Sequence, residues 1–159
     1  MQKLKTIIIA GLIILAVSLL FFPWLLYAIG LSNIEGRPSL PTNATLTPDE
    51  AQKIWEELKE KGPIQIEKIS PWHYVFMVLE ANDKPKSGEY LAWFVARNYN
   101  STHMRNKRMI YWHLSGASLT IWLTRNWSAE QLLLKAKEIK ETRQHSTSRS
   151  SRTSLCRDA

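Results

Sequence analysis

The stretch from Ile7 to Ile29 most constrains what this chain can become, because its 23 residues hold no ionisable group except the phenol of Tyr27. About 20 apolar residues cross the hydrocarbon core of a bilayer, and backbone amides in lipid are satisfied only within a helix or a closed barrel. Trp24 and Tyr27, near the far end, suit the headgroup boundary. The sequence therefore predicts a single transmembrane anchor over residues 7–29.

The charges that flank this run predict its orientation. Lys3 and Lys5 precede it in residues 1–6, whereas residues 30–46 carry only Glu35 and Arg37. Positive charge accumulates on the cytoplasmic side, so the remainder of the chain is expected to be exported. A cleaved signal peptide is the alternative, but its apolar region is usually shorter, about 7–15 residues, and no clear small-x-small cleavage site follows the run.

The sequence after the anchor divides into three parts. Residues 30–46 are rich in Pro, Gly and small polar residues, which is typical of a linker. Residues 47–142 are enough for one modest domain. Residues 143–159 are rich in Ser and Arg and cannot bury a core, which predicts disorder. This tail contributes much of the net charge of +7 and contains Cys156, the only cysteine, so no internal disulfide is expected.

Three helices are predicted within the domain. The motif Thr47-Pro-Asp-Glu50 is a capping box that opens the first, and Gly62-Pro63 ends it. Ser128-Ala-Glu-Gln131 is a second capping box, opening a helix that ends around Thr142. Between them, the apolar stripe of residues 89–100 favours a helix over a strand.

Four strands are predicted between these helices. Two apolar runs flank the short loop Ser115-Gly116-Ala117-Ser118 and indicate a β-hairpin, with a helix through Ala117 to Arg125 as the alternative. The predicted strands are Ile64 to Ile69, Trp72 to Leu79, Met109 to Leu114 and Leu119 to Thr124, with a turn-rich loop over residues 81–88. The resulting order α-β-β-α-β-β-α predicts an α+β domain with an antiparallel sheet and helices packed on it.

A basic segment is the first candidate site. Arg97, Arg105, Lys107 and Arg108 surround His103 without an intervening acid, and Arg in particular suits bidentate contact with carboxylate or phosphate groups. A solvated surface loop is the alternative. Trp127, at the start of the last helix, is predicted to be exposed and to add an aromatic contact, because Trp and Arg concentrate at interface hot spots. No motif for nucleic-acid binding is present.

Catalytic candidates are weaker. Glu80 and Glu89 flank the loop of residues 81–88 and would form an acid/base pair if they faced each other. His113 shares a predicted strand face with Ser115, but no acid is placed to orient the imidazole. His73, His103 and His113 lack the close spacing of metal ligands, so no metal or other cofactor is predicted.

These features favour a non-catalytic role. The sequence predicts a single-pass accessory or assembly subunit of a cell-envelope complex, which binds a partner protein through an aromatic and basic surface. The expected location is the bacterial inner membrane, with the domain in the periplasm or otherwise outside the cytoplasm. The alternative is an envelope enzyme or binding domain that acts on an anionic cell-wall polymer or lipid.

Overall fold

Six helices build the computed structural model, which describes residues 2–41, 45–80 and 85–155. They are α1 (Gln2–Ser32), α2 (Pro48–Glu57), α3 (Pro71–Glu80), α4 (Glu89–His103), α5 (Met109–Asn126) and α6 (Ala129–Leu155). In these described ranges there is no strand, and only an isolated bridge joins Ile34 to Met104. The prediction of an α+β domain with an antiparallel sheet is therefore wrong, and the described domain is helical.

Helix α1 contains the whole apolar run of residues 7–29 and is long and apolar enough to span a membrane. Its apolar side chains are exposed from Ile7 through Phe22, whereas Pro23 is buried against the domain. Pro23 lies within the helix, as expected where freed backbone groups can be satisfied locally. The anchor helix therefore continues directly into the domain's packing.

Both predicted capping boxes are confirmed. The Thr47 hydroxyl accepts the backbone N–H of Glu50 at 3.3 Å, and the Glu50 carboxylate accepts the backbone N–H of Thr47 at 3.0 Å. Ser128 and Gln131 make the same reciprocal pair at 2.9 and 3.2 Å. These local hydrogen bonds fix the starts of α2 and α6 independently of the rest of the fold.

Helices α2, α4 and α6 enclose an apolar core together with one side of α5. Its largest fully buried side chains include Trp55, Leu91, Leu119 and Leu132. The indole N–H of Trp55 has no hydrogen-bond partner in the described part of the chain. Outside this core, the Lys137 ammonium lies 2.8 Å from the Glu50 carboxylate and joins α6 to α2.

The predicted hairpin of residues 109–124 is wrong, because these residues form the single helix α5. The alternative, a helix through Ala117 to Arg125, is correct for the second half of this segment. The supposed turn, Ser115 to Ser118, lies at the middle of the helix, where small side chains allow close packing. A Cβ on Gly30 of α1 would lie only 2.6 Å from the Leu114 carbonyl oxygen. Helix α5 thus lies between α1 and α4, and tertiary contact outweighs the turn signal of its small residues.

The other two predicted strands are also wrong. Residues 72–79 belong to α3, in which Pro71 takes the first helical position, where its missing N–H is not needed. Residues 64–69 form neither a helix nor a strand. The Glu67 N–H donates to the Ser87 carbonyl at 2.9 Å, and the Ile69 N–H donates to the Thr124 hydroxyl at 3.3 Å. This segment is therefore held by single contacts rather than by a ladder.

The predicted linker packs against the domain where it leaves α1. Ile34 is only 3% exposed and joins the core, and Asn33 exchanges hydrogen bonds with the backbone of Asn106 at 2.9 and 3.4 Å. At the other end of the chain, α6 runs past Thr142 to Leu155. Cys156 and residues 81–84 of the predicted loop lie outside the described residues. None of these observations tests where the domain begins or ends, so the domain boundaries stay predictions.

Candidate functional site

A groove of about 460 Å³ lies between α4 and α5, with Tyr74 of α3 at one end. Trp93 and Arg97 line it from α4, and Trp112 and Ile110 line it from α5. Most of the lining atoms are apolar, and a single guanidinium supplies the fixed charge. This combination is typical of surfaces that bind proteins or amphipathic ligands.

Arg97 is placed between two indole rings. Its guanidinium carbon lies 5.1 Å from the ring centre of Trp93 and 5.9 Å from that of Trp112. Both distances fall within the range of a favourable cation–π interaction. The two contacts hold the charge beside the aromatic walls of the groove.

Large apolar side chains around the groove are exposed. Trp93 is 40% exposed and Ile110 is 72% exposed, and their neighbours Tyr90 and Met109 are exposed as well. Tyr90, Trp93 and Arg97 follow one another at three- and four-residue spacing, which places them along one side of α4. An aromatic and basic strip of this kind has the composition of an interface hot spot.

Buried hydrogen bonds fix the separation of the two helices that form the groove. The Asn100 amide donates to the Trp112 carbonyl at 2.9 Å, and the Ser115 hydroxyl donates to the Asn100 side-chain oxygen at 2.9 Å. Asn100 and Ser115 are both fully buried. Because buried polar groups are costly to leave unpaired, this pair sets the register of α4 against α5.

A buried polar cluster supports the Tyr74 end of the groove. His73 Nε2 and Glu89 Oε2 lie 3.0 Å apart, and the same Glu89 oxygen accepts the backbone N–H of Lys86 at 2.8 Å. Burial, and secondarily the nearby Glu89 carboxylate, raises the pKa of Tyr74 above its ordinary value. The shift moves ionisation of the phenol further from neutral pH, where an ordinary tyrosine is already protonated.

The start of α4 is capped from outside the helix. The two Glu60 carboxylate oxygens accept the backbone N–H groups of Gly88 and Leu91 at 3.0 and 3.1 Å. A carboxylate at a helix N-terminus accepts hydrogen bonds from the free N–H groups and interacts favourably with the positive end of the helix dipole. Gly88 has φ of 78° at the N-cap, where a side chain would be strained. This cap positions the first turn of α4, including Tyr90.

The structure separates the residues of the predicted basic segment. Arg97 lines the groove, whereas the Arg105 guanidinium lies 3.9 Å from the Glu35 carboxylate at an exposed position. Lys107 and Arg108 are exposed in the connection to α5, and His103 stacks on Tyr99 with ring centres 3.8 Å apart. Arg97 is thus the one member of the predicted set that lines the groove.

The prediction that Trp127 is exposed is wrong. Trp127 is only 7% exposed, belongs to the core, and meets the Trp122 ring edge-on at 6.5 Å. Trp127 lies between the end of α5 and the capping box of α6, and its side chain packs into the core. It therefore presents little surface to a partner.

The structure separates one pair of catalytic candidates, His113 and Ser115. His113 is exposed and Ser115 is buried, because residues two apart in a helix point to different sides. The Glu89 carboxylate is buried against His73. The side chain of Glu80 lies outside the described residues, so its pairing with Glu89 stays a prediction.

Trp93, Trp112 and Tyr74 are among the groove residues that the sequence analysis did not select. The four-residue spacing of Trp93 and Arg97 was a usable signal, since α4 was predicted as a helix. Trp112 was hidden by its assignment to a strand.

Comparison of the chain with models of known protein families, with curated proteins and with solved structures found no match.

Proposed function

We propose that this protein is a membrane-anchored accessory subunit whose helical domain binds a partner protein in the groove between α4 and α5. The observation that supports the proposal most is Arg97 held between the exposed Trp93 and the half-buried Trp112. Trp and Arg at one site, with apolar surface around them, form the kind of anchor that dominates binding energy in protein interfaces.

The proposed occupant is a segment that carries carboxylates beside apolar or aromatic side chains. The groove offers a fixed positive charge among apolar walls, and Arg105, Lys107 and Arg108 add positive charge on the neighbouring connection. Complementary charge speeds encounter and discriminates between partners, whereas the apolar walls supply most of the affinity. A segment of this composition matches both parts of the groove.

The proposed setting is the cell envelope. Lys3 and Lys5 at the start of α1 favour a cytoplasmic N-terminus, and the domain then lies outside the cytoplasm, in the periplasm if the source is a bacterium with two membranes. In this arrangement α1 limits the domain to partners close to the same membrane. Restriction to a surface raises the effective concentration of such a partner and favours a subunit of a membrane complex.

The test places a photo-crosslinking amino acid at Ile110, which lines the groove, and at Leu40, which is exposed but does not line it. The full-length protein is crosslinked in its native membrane, and the attached peptides are identified by mass spectrometry. We expect one partner to crosslink at Ile110, through an acidic and apolar segment, and not at Leu40.

Arg97→Gln provides the matched loss of function, and Arg143→Gln is its control, because Arg143 also lies over a ring of α4, that of Phe94. Loss of a hot-spot residue costs at least about 2 kcal/mol, which corresponds to a roughly 30-fold weaker complex. Equal crosslinking from Ile110 in wild type and Arg97→Gln contradicts the proposal. Recovery of a lipid or a glycan at Ile110, instead of a protein, favours the alternative of an anionic envelope ligand.

A further inference from the structure

A second cavity, of about 320 Å³, lies where α1, α3 and α5 meet. Pro23, Leu26 and Tyr27 form its α1 wall, Val75 belongs to the α3 wall, and Ile121 belongs to the α5 wall. Almost all of its lining surface is apolar. The cavity is open to its surroundings and is not an enclosed void, so a chain from outside the protein can enter it.

The cavity lies at the depth of the bilayer edge. A hydrocarbon core about 30 Å thick takes about 20 helical residues, and 20 residues counted from Ile7 end at Leu26. Pro23 and Leu26 therefore line the cavity at the level where the acyl chains end. Phe21, Phe22 and Leu25, on the other sides of the same turns, are exposed, as they would be if lipid covered them.

A cationic side chain lies at the same level. Arg125 lies in the last turn of α5, one turn after Ile121, and its guanidinium carbon lies 5.6 Å from the ring centre of Trp24. One of its nitrogens donates to the Ile69 carbonyl at 3.3 Å, which orients the group. An exposed guanidinium beside an interfacial Trp is placed to contact a lipid phosphate.

The chemistry of the cavity excludes most other occupants. Water needs two to four polar partners, and these apolar walls supply few. A polar solute would lose its hydration without compensation. An alkyl chain gains free energy with each methylene that it buries, and the membrane that surrounds α1 supplies such chains at high concentration.

We propose that this cavity holds one acyl chain of a bilayer phospholipid, with the lipid phosphate against Arg125. This proposal rests on the membrane anchoring in the proposed function and is independent of the partner groove. The bound lipid fills the open volume beside the contact of Gly30 with α5, and it adds to the packing that already holds the domain against α1.

The test uses the full-length protein in phosphatidylcholine and phosphatidylglycerol vesicles whose acyl chains carry a diazirine. After illumination, crosslinked residues are mapped by mass spectrometry. We expect crosslinks at Val75 and Ile121 in addition to those along α1. Crosslinks along α1 report anchoring alone, so their presence without Val75 and Ile121 overturns the lipid site while preserving the anchor.

Variants that fill the cavity make the test specific. Val75→Trp is expected to lower crosslinking at Ile121 roughly tenfold, because the indole occupies the volume of the chain. Phe76→Trp changes the next, exposed residue of α3 and should leave it unchanged. Leu26→Trp, with the exposed Leu25→Trp as its control, repeats the comparison from α1 in case Val75→Trp disturbs α3. Equal yields in all four variants overturn the proposal.

The headgroup contact has its own readout. Arg125→Gln should lower the amount of phospholipid that remains bound through detergent purification. Arg125→Lys should restore most of it, because the positive charge returns, but not all of it, because the guanidinium geometry does not. Native mass spectrometry counts the retained lipids directly. Equal retention in wild type and Arg125→Gln contradicts the assignment of Arg125 to the phosphate.

Discussion

The core of α2, α4 and α6 and the junction of α1, α3 and α5 are packed in different ways. The core is filled by large side chains with no exposed surface, among them Trp55, Leu91 and Leu132. The junction combines a near-backbone contact at Gly30 with an open volume of about 320 Å³ beside it. The core therefore supplies the stability of the domain, whereas the junction sets where the domain lies relative to α1.

Helix α5 belongs to both regions, which explains its composition. Leu119 and Leu123 are fully buried in the core, while Ser118 lies against Gly30 of α1. A helix covered on several sides has no room for a charged face, and α5 carries none between Met109 and Thr124. Because α5 contacts both the core and α1, it fixes the position of one relative to the other.

Truncation of Trp55 should have the largest effect, because it removes the largest fully buried side chain of the core. Trp55→Ala is expected to lower the free energy of unfolding by about 3–5 kcal/mol. Trp55→Phe should cost much less, since it retains most of the ring volume and removes an indole N–H that lacks an acceptor. Denaturant unfolding of the detergent-solubilised protein measures both. A smaller loss for Ala than for Phe would contradict this account of the core.

Gly30→Ala tests the junction and should have an intermediate effect of about 1–3 kcal/mol, the range for an overpacked contact. The added Cβ would lie 2.6 Å from the Leu114 carbonyl, so α1 must move away from α5. Gly11→Ala is the matched control on the same helix, because nothing lies within 4 Å of its Cβ. Thermal unfolding, with a distance between spin labels on α1 and α5, separates the two variants. An unchanged distance in Gly30→Ala would show that the contact is not limiting.

The smallest effect is expected from acid at the exposed start of α2. Hydrogen bonds from Lys137 and from Thr47 lower the pKa of Glu50 from 4.5 to about 2. Because the folded pKa is depressed, this stabilisation is complete above pH 4.5 and is lost as the pH falls toward 2. Glu50→Gln should flatten that part of the stability profile, and Lys137→Met should flatten it less, because the Thr47 contact remains. A parallel profile for wild type and Glu50→Gln would rule out this origin.

The sequence could predict the elements that local chemistry determines. A helix long and apolar enough to span a membrane follows from an uninterrupted apolar run, and the starts of α2 and α6 follow from reciprocal hydrogen bonds within four residues of chain. Helix α4 could be predicted because its apolar residues form a stripe on one face. In the candidate site, Arg97 was predicted from its charge, whereas Trp127 was assigned to the surface and lies in the core.

Only the tertiary structure decided the state of residues 71–80 and 109–126. Their β-branched and aromatic side chains favour strands, and apolar residues on all sides remove the periodicity that separates a buried helix from a buried strand. The choice depended on contacts far along the chain, such as Gly30 with Ser118 and Asn100 with Ser115. The groove also depends on tertiary contact. Trp93 and Trp112 meet Arg97 because α4 and α5 pack side by side, and no local sequence pattern predicts that packing.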